Sequence, residues 1–266
     1  MTDSIEVPLK GGNTSDVVRV ADTVRRPVRP WTESVHLLLD HLAERGLKGV
    51  PRQYGIDDRD REVLDFLPGD TASGTPWDDR FWSDKLLVDA GVWLRRFHEA
   101  VADFRPPPSA RWFTGRGAPA FGQIVCHNDI APYNTVIDRR GRLSGIIDWD
   151  TAAPAVPEWD LAGAAWQWVP LHHPTITSAI GGPPESEQAR RLRILCDAYG
   201  YLKPAELLMR VRARVDTMLS ALSARDVDDH PVLSRLRSGG HEHLHARTAT
   251  YLDARVPVLA HALRNG

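Results

Sequence analysis

In the run VCHNDIAPYNTVIDRRGRLSGIIDWD, Asp129 precedes Asn134 by five positions, and Asp148 closes an apolar stretch fourteen positions further on. Phosphoryl transfer needs a carboxylate to orient and deprotonate an attacking hydroxyl, and oxygen ligands to hold magnesium against phosphates. An aspartate and an asparagine on one loop, with a second aspartate at the end of a neighbouring hairpin strand, supply that set. Magnesium favours such hard donors and keeps waters in its remaining positions. Three fixed positions taken alone form a weak pattern. His127, beside a carboxylate better suited as base, reads as a residue that shapes the loop. Asp150 either faces the metal site or caps the segment that follows, and the cap is the simpler reading.

The elements that must position these residues follow from periodicity. IEVPL, DVVRV and TVRRP are short extended runs, broken at Gly11-Gly12-Asn13 and Ala21-Asp22 as in an antiparallel meander. TESVHLLLDHLAERG places Val35, Leu38, Leu39 and Leu42 on one helical face and ends at Gly46, which predicts a helix with a glycine cap. VPRQYGID and REVLDFL are two further strands, and PGDTASGTP then breaks the pattern. DKLLVDAGVWLRRFHEAVADF is long and amphipathic, and RPPPSARWFTGRGAPAFG connects it to VCHND, NTVID and SGIIDWD, three short runs that turn at Arg139-Arg140-Gly141. Beyond Trp159 the sequence reads as helices, interrupted at Gly181-Gly182-Pro183-Pro184 and Gly239-Gly240.

HNDIAPYN matches the HxDxxxxN loop, and IIDWD the magnesium aspartate motif, of the aminoglycoside phosphotransferase and choline kinase superfamily, which this chain resembles. Joined to the preceding strand, the hairpin and the following WDLA, the loop pattern becomes specific. The resemblance runs over residues 5–170 by motif order and over the rest by helical character alone. It implies an α+β, protein-kinase-like, two-lobed fold. Residues 1–67 would form a nucleotide-binding lobe with a hinge at 64–69, and residues 70–266 a mainly helical catalytic and acceptor-binding lobe. Carried over position by position, Asp129 would be the catalytic base, Asn134 and Asp148 the magnesium ligands, and His127 and Asp160 structural supports of the loop. ATP is the implied phosphoryl donor, with GTP open as an alternative.

In the first lobe the resemblance places Gly11, Gly12, Asn13 and Thr14 in the turn over the nucleotide phosphates, although Gly-Gly alone suits an ordinary hairpin equally well. Asp65, Phe66 and Leu67 would form the hinge along the base. The family's lysine on the third strand is absent. Arg25 takes its place when the preceding apolar residue is aligned, and a guanidinium can hold phosphate oxygens bidentately. The family's helical glutamate falls near Val35, with Glu33 two residues earlier. Loss of that pair motivates an alternative, a non-catalytic nucleotide-binding regulator. Nucleotidyl transfer from the same site is another.

Trp149, Trp166 and Trp168 follow the metal aspartate, where rings could stack on an acceptor, although core packing is the simpler reading for each. Histidines 241, 243 and 245 lie two apart, a spacing that on a helix suits a solvated stretch better than a zinc site. A formal net charge of -2 provides no basic field for nucleic acid and makes a polycationic acceptor less compelling than an antibiotic, sugar, nucleoside or other metabolite of lower charge. Cys126 and Cys196, far apart and outside any ligand spacing, read as two free thiols in a reducing compartment. With no signal-peptide pattern at the start and no run of roughly 18 apolar residues, the expected setting is the cytoplasm, without a membrane partner. The oligomeric state and the acceptor have no signature.

Overall fold

The computed structural model describes residues 5–9, 17–224, 227 and 231–265. The chain forms two compact units, one of residues 1–73 with 94–157 and the other of residues 74–93 with 158–266. This grouping differs from a single cut near residue 67, because the catalytic hairpins fold within the same unit as the N-terminal sheet.

The first unit contains β1 (Glu6–Pro8), β2 (Val18–Val20), β3 (Thr23–Pro27), β4 (Gln53–Ile56) and β5 (Arg61–Asp65), an antiparallel sheet in the order β1-β2-β3-β5-β4. In the β3–β5 register Arg25 lies opposite Val63 and Arg26 opposite Glu62. Successive strand side chains point to opposite faces, so the two arginines diverge. Helix α1 (Thr32–Glu44) buries Val35, Leu38, Leu39 and Leu42, the stripe read from the sequence. It ends as expected at Gly46. There the Leu47 N–H donates to the Leu42 carbonyl and the Gly46 N–H to that of Ala43, a paired closure that needs the left-handed φ of +69°.

Two small ladders complete this unit: β6 (Ile124–Cys126) with β9 (Ala153–Ala155), and β7 (Thr135–Ile137) with β8 (Leu143–Ile146). Asp138 closes the second by accepting from the Arg140 and Arg142 amides. Asp70 and Ile137 exchange both backbone hydrogen bonds, tying the segment after β5 to β7. This approach depends on Gly69, at φ +148°, because a Cβ there would stand 2.4 Å from the Ile137 oxygen and 2.6 Å from Val136 Cγ1. Gly69→Ala should therefore cost about 1–3 kcal/mol of stability. A urea midpoint unchanged from wild type would contradict this.

The second unit is helical. Helix α2 (Asp84–Val101) supplies its first ten residues to it, and α3 (Pro157–Trp168), α4 (Pro174–Ala179), α5 (Gln188–Tyr199), α6 (Pro204–Leu222), α7 (Pro231–Ser238) and α8 (His241–Asn265) follow. Arg191 of α5 is buried and donates to the backbone carbonyls of Trp82 and Trp168, with Asp84 as its ion-pair partner. Burial lowers its pKa to about 10. Cys126 in the first unit and Cys196 in the second are buried free thiols. On α8, His243 is exposed while His245 lies edge-on to Trp166, so these side chains do not converge. Among the described residues, no helix is long and apolar enough to cross a membrane.

Candidate active site

Asp129, Asn134 and Asp148 all lie in the first unit. Strand β6 delivers the chain to His127, which is fully buried and edge-on to the Trp149 ring. Its Nδ1 accepts from the Asp129 N–H at 3.2 Å, and its Nε2–H donates to the Ile147 carbonyl at 3.2 Å. A single neutral tautomer meets both demands, so His127 joins the start of the loop to the strand that ends at Asp148. Asn128 adopts φ +66°, and its amide donates to the Thr151 and Ala153 carbonyls at 3.2 and 3.3 Å. Asparagine is among the few residues that accept this conformation readily. Its positioning role was missed in the sequence, where it was simply a filler of the motif.

Asn134 ends a short 3-10 turn (Pro132–Asn134). Its Nδ2 donates to Asp129 Oδ2 at 2.9 Å and to the Asp129 carbonyl at 3.0 Å, which leaves the amide oxygen as its donor atom for a cation. The Asn134 carbonyl accepts from the Ile147 amide at 2.9 Å, bringing Asp148 alongside the loop. Asp148 itself sits at φ +61°, ψ +69°, a left-handed conformation costly enough in a non-glycine residue to point to a functional constraint.

The arginine beside Asp148 is Arg26, the neighbour of Arg25, which the resemblance assigns to the nucleotide phosphates. Its guanidinium lies 2.7 Å from Glu62, 3.4 Å from Asp148 and 2.9 Å from Asp150. Arg25 is on the opposite face, 3.5 Å from Asp57. Burial works against the Arg26 charge, but Asp150, Glu62 and Asp148 outweigh it and raise its pKa above the ordinary arginine value. Glu33 is exposed, and the acidic partner comes instead from β5 as Glu62, buried to 1% exposure and met by His36 Nε2 of α1 at 3.1 Å. Asp150 thus serves as an ion-pair partner rather than as a cap, and burial raises its carboxyl pKa.

Three carboxylates share this one guanidinium, an excess of negative charge that a divalent cation held by Asn134 and Asp148 would relieve. The hard oxygen donors and the charge both fit magnesium. Arg26→Lys should cost about 1–3 kcal/mol, since one ammonium cannot reproduce the forked contacts. Arg25→Lys should cost less than about 1 kcal/mol, because its part-exposed partner Asp57 is also held by Arg61. Equal losses in urea denaturation would contradict this division of roles.

Gly11, Gly12, Asn13 and Thr14 lie outside the described residues. Along the expected hinge, Asp65 accepts from the Tyr54 hydroxyl and the Arg52 amide, while the Phe66 N–H is engaged by the Asp22 carbonyl at 2.9 Å. That amide is therefore not the one offered to a base. Arg19 stacks on the Phe66 ring, and Leu67 lies over Gly145 of β8. Asp160 is buried in the first turn of α3, in the second unit. The tryptophans considered for acceptor stacking are core residues: Trp149 is 1% exposed, Trp166 5% and Trp168 0%. Such burial leaves no broad ring face for an acceptor and agrees with the packing reading of each ring.

The Asp129–Asn134 loop and the hairpin ending at Asp148, folded with a small antiparallel sheet, place this molecule in the class of kinase-like small-molecule phosphotransferases. A family model described as phosphotransferase enzyme family matches residues 110–182. The trifolitoxin immunity protein of Rhizobium leguminosarum bv. trifolii is 33% identical over 199 residues, covering 73% of this chain and 74% of that protein. Aminoglycoside phosphotransferase APH(3'')-Id of Streptomyces rimosus, solved with ADP and streptomycin, has a similar fold, with a TM-score of 0.53 at 16% identity over 80% of this chain and 91% of that one. Amicoumacin kinase, solved with AMP-PNP and Ca2+, gives 0.55 at 11% identity, over 88% and 86% of the two chains. The chain belongs to the phosphotransferase enzyme family. It is a phosphotransferase acting on hydroxyl groups of small molecules.

Proposed function

We propose that the protein transfers the γ-phosphoryl group of ATP, with magnesium, to a hydroxyl of a toxin or antibiotic and thereby inactivates it. The observation that carries the chemistry is the joining of Asp129 to Asn134, with Asp148 held beside them by the Ile147 amide. Asp129 is the base that accepts the acceptor's proton. Asn134 and Asp148 would hold magnesium, which supplies charge neutralisation at the phosphates. Arg26, held by Glu62, which His36 meets in turn, keeps a fixed positive charge beside Asp148. That arginine–glutamate pair supports the catalytic reading over a non-catalytic regulator.

The choice of acceptor class rests on the relative named for immunity to trifolitoxin. The near-neutral charge favours an acceptor without a large positive charge. A screen of hydroxylated antibiotics, including peptide antibiotics, with Mg-ATP should give at least one product heavier by one phosphate and biologically inactive. A product heavier by a nucleoside monophosphate would replace phosphoryl with nucleotidyl transfer. Products formed only from sugars or nucleosides, with antibiotics untouched, would overturn the protective role.

A further inference from the structure

Tyr133 lies within the same short turn as Asn134, four residues beyond Asp129, and its hydroxyl donates to Asp129 Oδ1 at 2.8 Å. The other carboxylate oxygen, Oδ2, accepts from Asn134 at 2.9 Å. These two donors approach differently. Asn134 is buried at 5% exposure, while Tyr133 is 36% exposed. An alcohol activated by Asp129 must present its own O–H to a carboxylate oxygen at about 2.5–3.0 Å. Oδ1 is the oxygen on the side away from Asn134, and Tyr133 already makes the bond there that an acceptor would make.

We propose that Tyr133 is an internal stand-in for the acceptor hydroxyl, a positioning residue that guards the base until an acceptor displaces it. The inference rests on the assignment of Asp129 as base. Without an acceptor, the competing nucleophile is water. Its oxygen would attack the γ-phosphorus, a proton would pass to Asp129, the bridging P–O bond would break, and ADP and phosphate would leave. Tyr133 opposes this because it is tethered next to Asp129, whereas water must displace it with no gain beyond one hydrogen bond exchanged for another. An acceptor exchanges the same bond but adds the binding of the rest of its body, which can drive the phenol aside. The guard thus ties use of the base to occupancy by a hydroxyl-bearing acceptor.

The test needs no identified acceptor. Phosphate release from Mg-ATP alone is compared for wild type, Tyr133→Phe, Tyr133→Ser, Asp129→Asn and the Tyr133→Phe/Asp129→Asn double variant, with thermal melts to verify folding and intact mass to detect modification. Tyr133→Phe and Tyr133→Ser should raise acceptor-free hydrolysis by about five-fold or more, the equivalent of roughly 1 kcal/mol in the barrier, and the double variant should lose the gain. Unchanged or lower rates in both tyrosine variants, with Asp129→Asn still below wild type, would overturn the guard while leaving the base in place. A phosphate found on Tyr133 itself would also overturn it, since the phenol would then be an acceptor. If no variant hydrolyses ATP and none shows a Mg-ATP thermal shift, the kinase reading falls together with the guard.

Discussion

Asp148→Asn should lower phosphorylation of any acceptor found by the antibiotic screen by about 10³-fold, equivalent to the several kcal/mol that a metal supplies at a transferring phosphoryl group. Asparagine is the informative substitution because Asp148 lies at φ +61°, a conformation that asparagine tolerates better than alanine does. The fold should persist, and the loss should reflect the removed charge. Asp148 is one of the three carboxylates around Arg26, so the variant also reduces the negative charge available to a divalent cation. The accompanying signature is a smaller magnesium-dependent increase in melting temperature with ATP. Full turnover in Asp148→Asn, or an undiminished magnesium effect, would remove this residue from the metal site.

Asp129→Asn should reduce turnover by about 10²–10⁴-fold, the range contributed by a positioned general base. The asparagine side chain retains the shape of the carboxylate but cannot accept the proton, so binding of Mg-ATP should remain close to wild type while the chemical step fails. The two aspartates therefore separate in a thermal-shift titration: the Asp148 variant loses much of its magnesium dependence, and the Asp129 variant keeps it. Near-normal kcat in Asp129→Asn would show that another group takes the proton. His127 is poorly placed for that task, because both of its nitrogens are committed within the loop and to Ile147.

The sequence by itself determined the local parts of this protein. The spacing from Asp129 to Asn134 and the strand-terminal Asp148 are features of one continuous segment, as is the hairpin between them. The α1 stripe of Val35, Leu38, Leu39 and Leu42 and the glycine at its end are equally local, because a 3.6-residue period and a left-handed cap depend on neighbours a few positions away. His127 could be assigned to structure for a similar reason, with a better base two residues on.

Tertiary structure decided what depends on distant pairing. Alignment on Val24 assigns Arg25 to the nucleotide phosphates, and only the register of β3 against β5 shows Arg26 opposite Glu62 and Arg25 beside Asp57. In a strand, a shift of one residue reverses the face, and nothing within TVRRP fixes which arginine faces Asp148. The acidic partner is equally non-local, since Glu62 arrives from β5 and is met by His36 of α1. The tryptophans carried the same ambiguity: their sequence shows large rings at and beyond Trp149, and only packing shows those rings buried. Composition and spacing thus set the reaction class, while strand register and burial chose the residues that surround it.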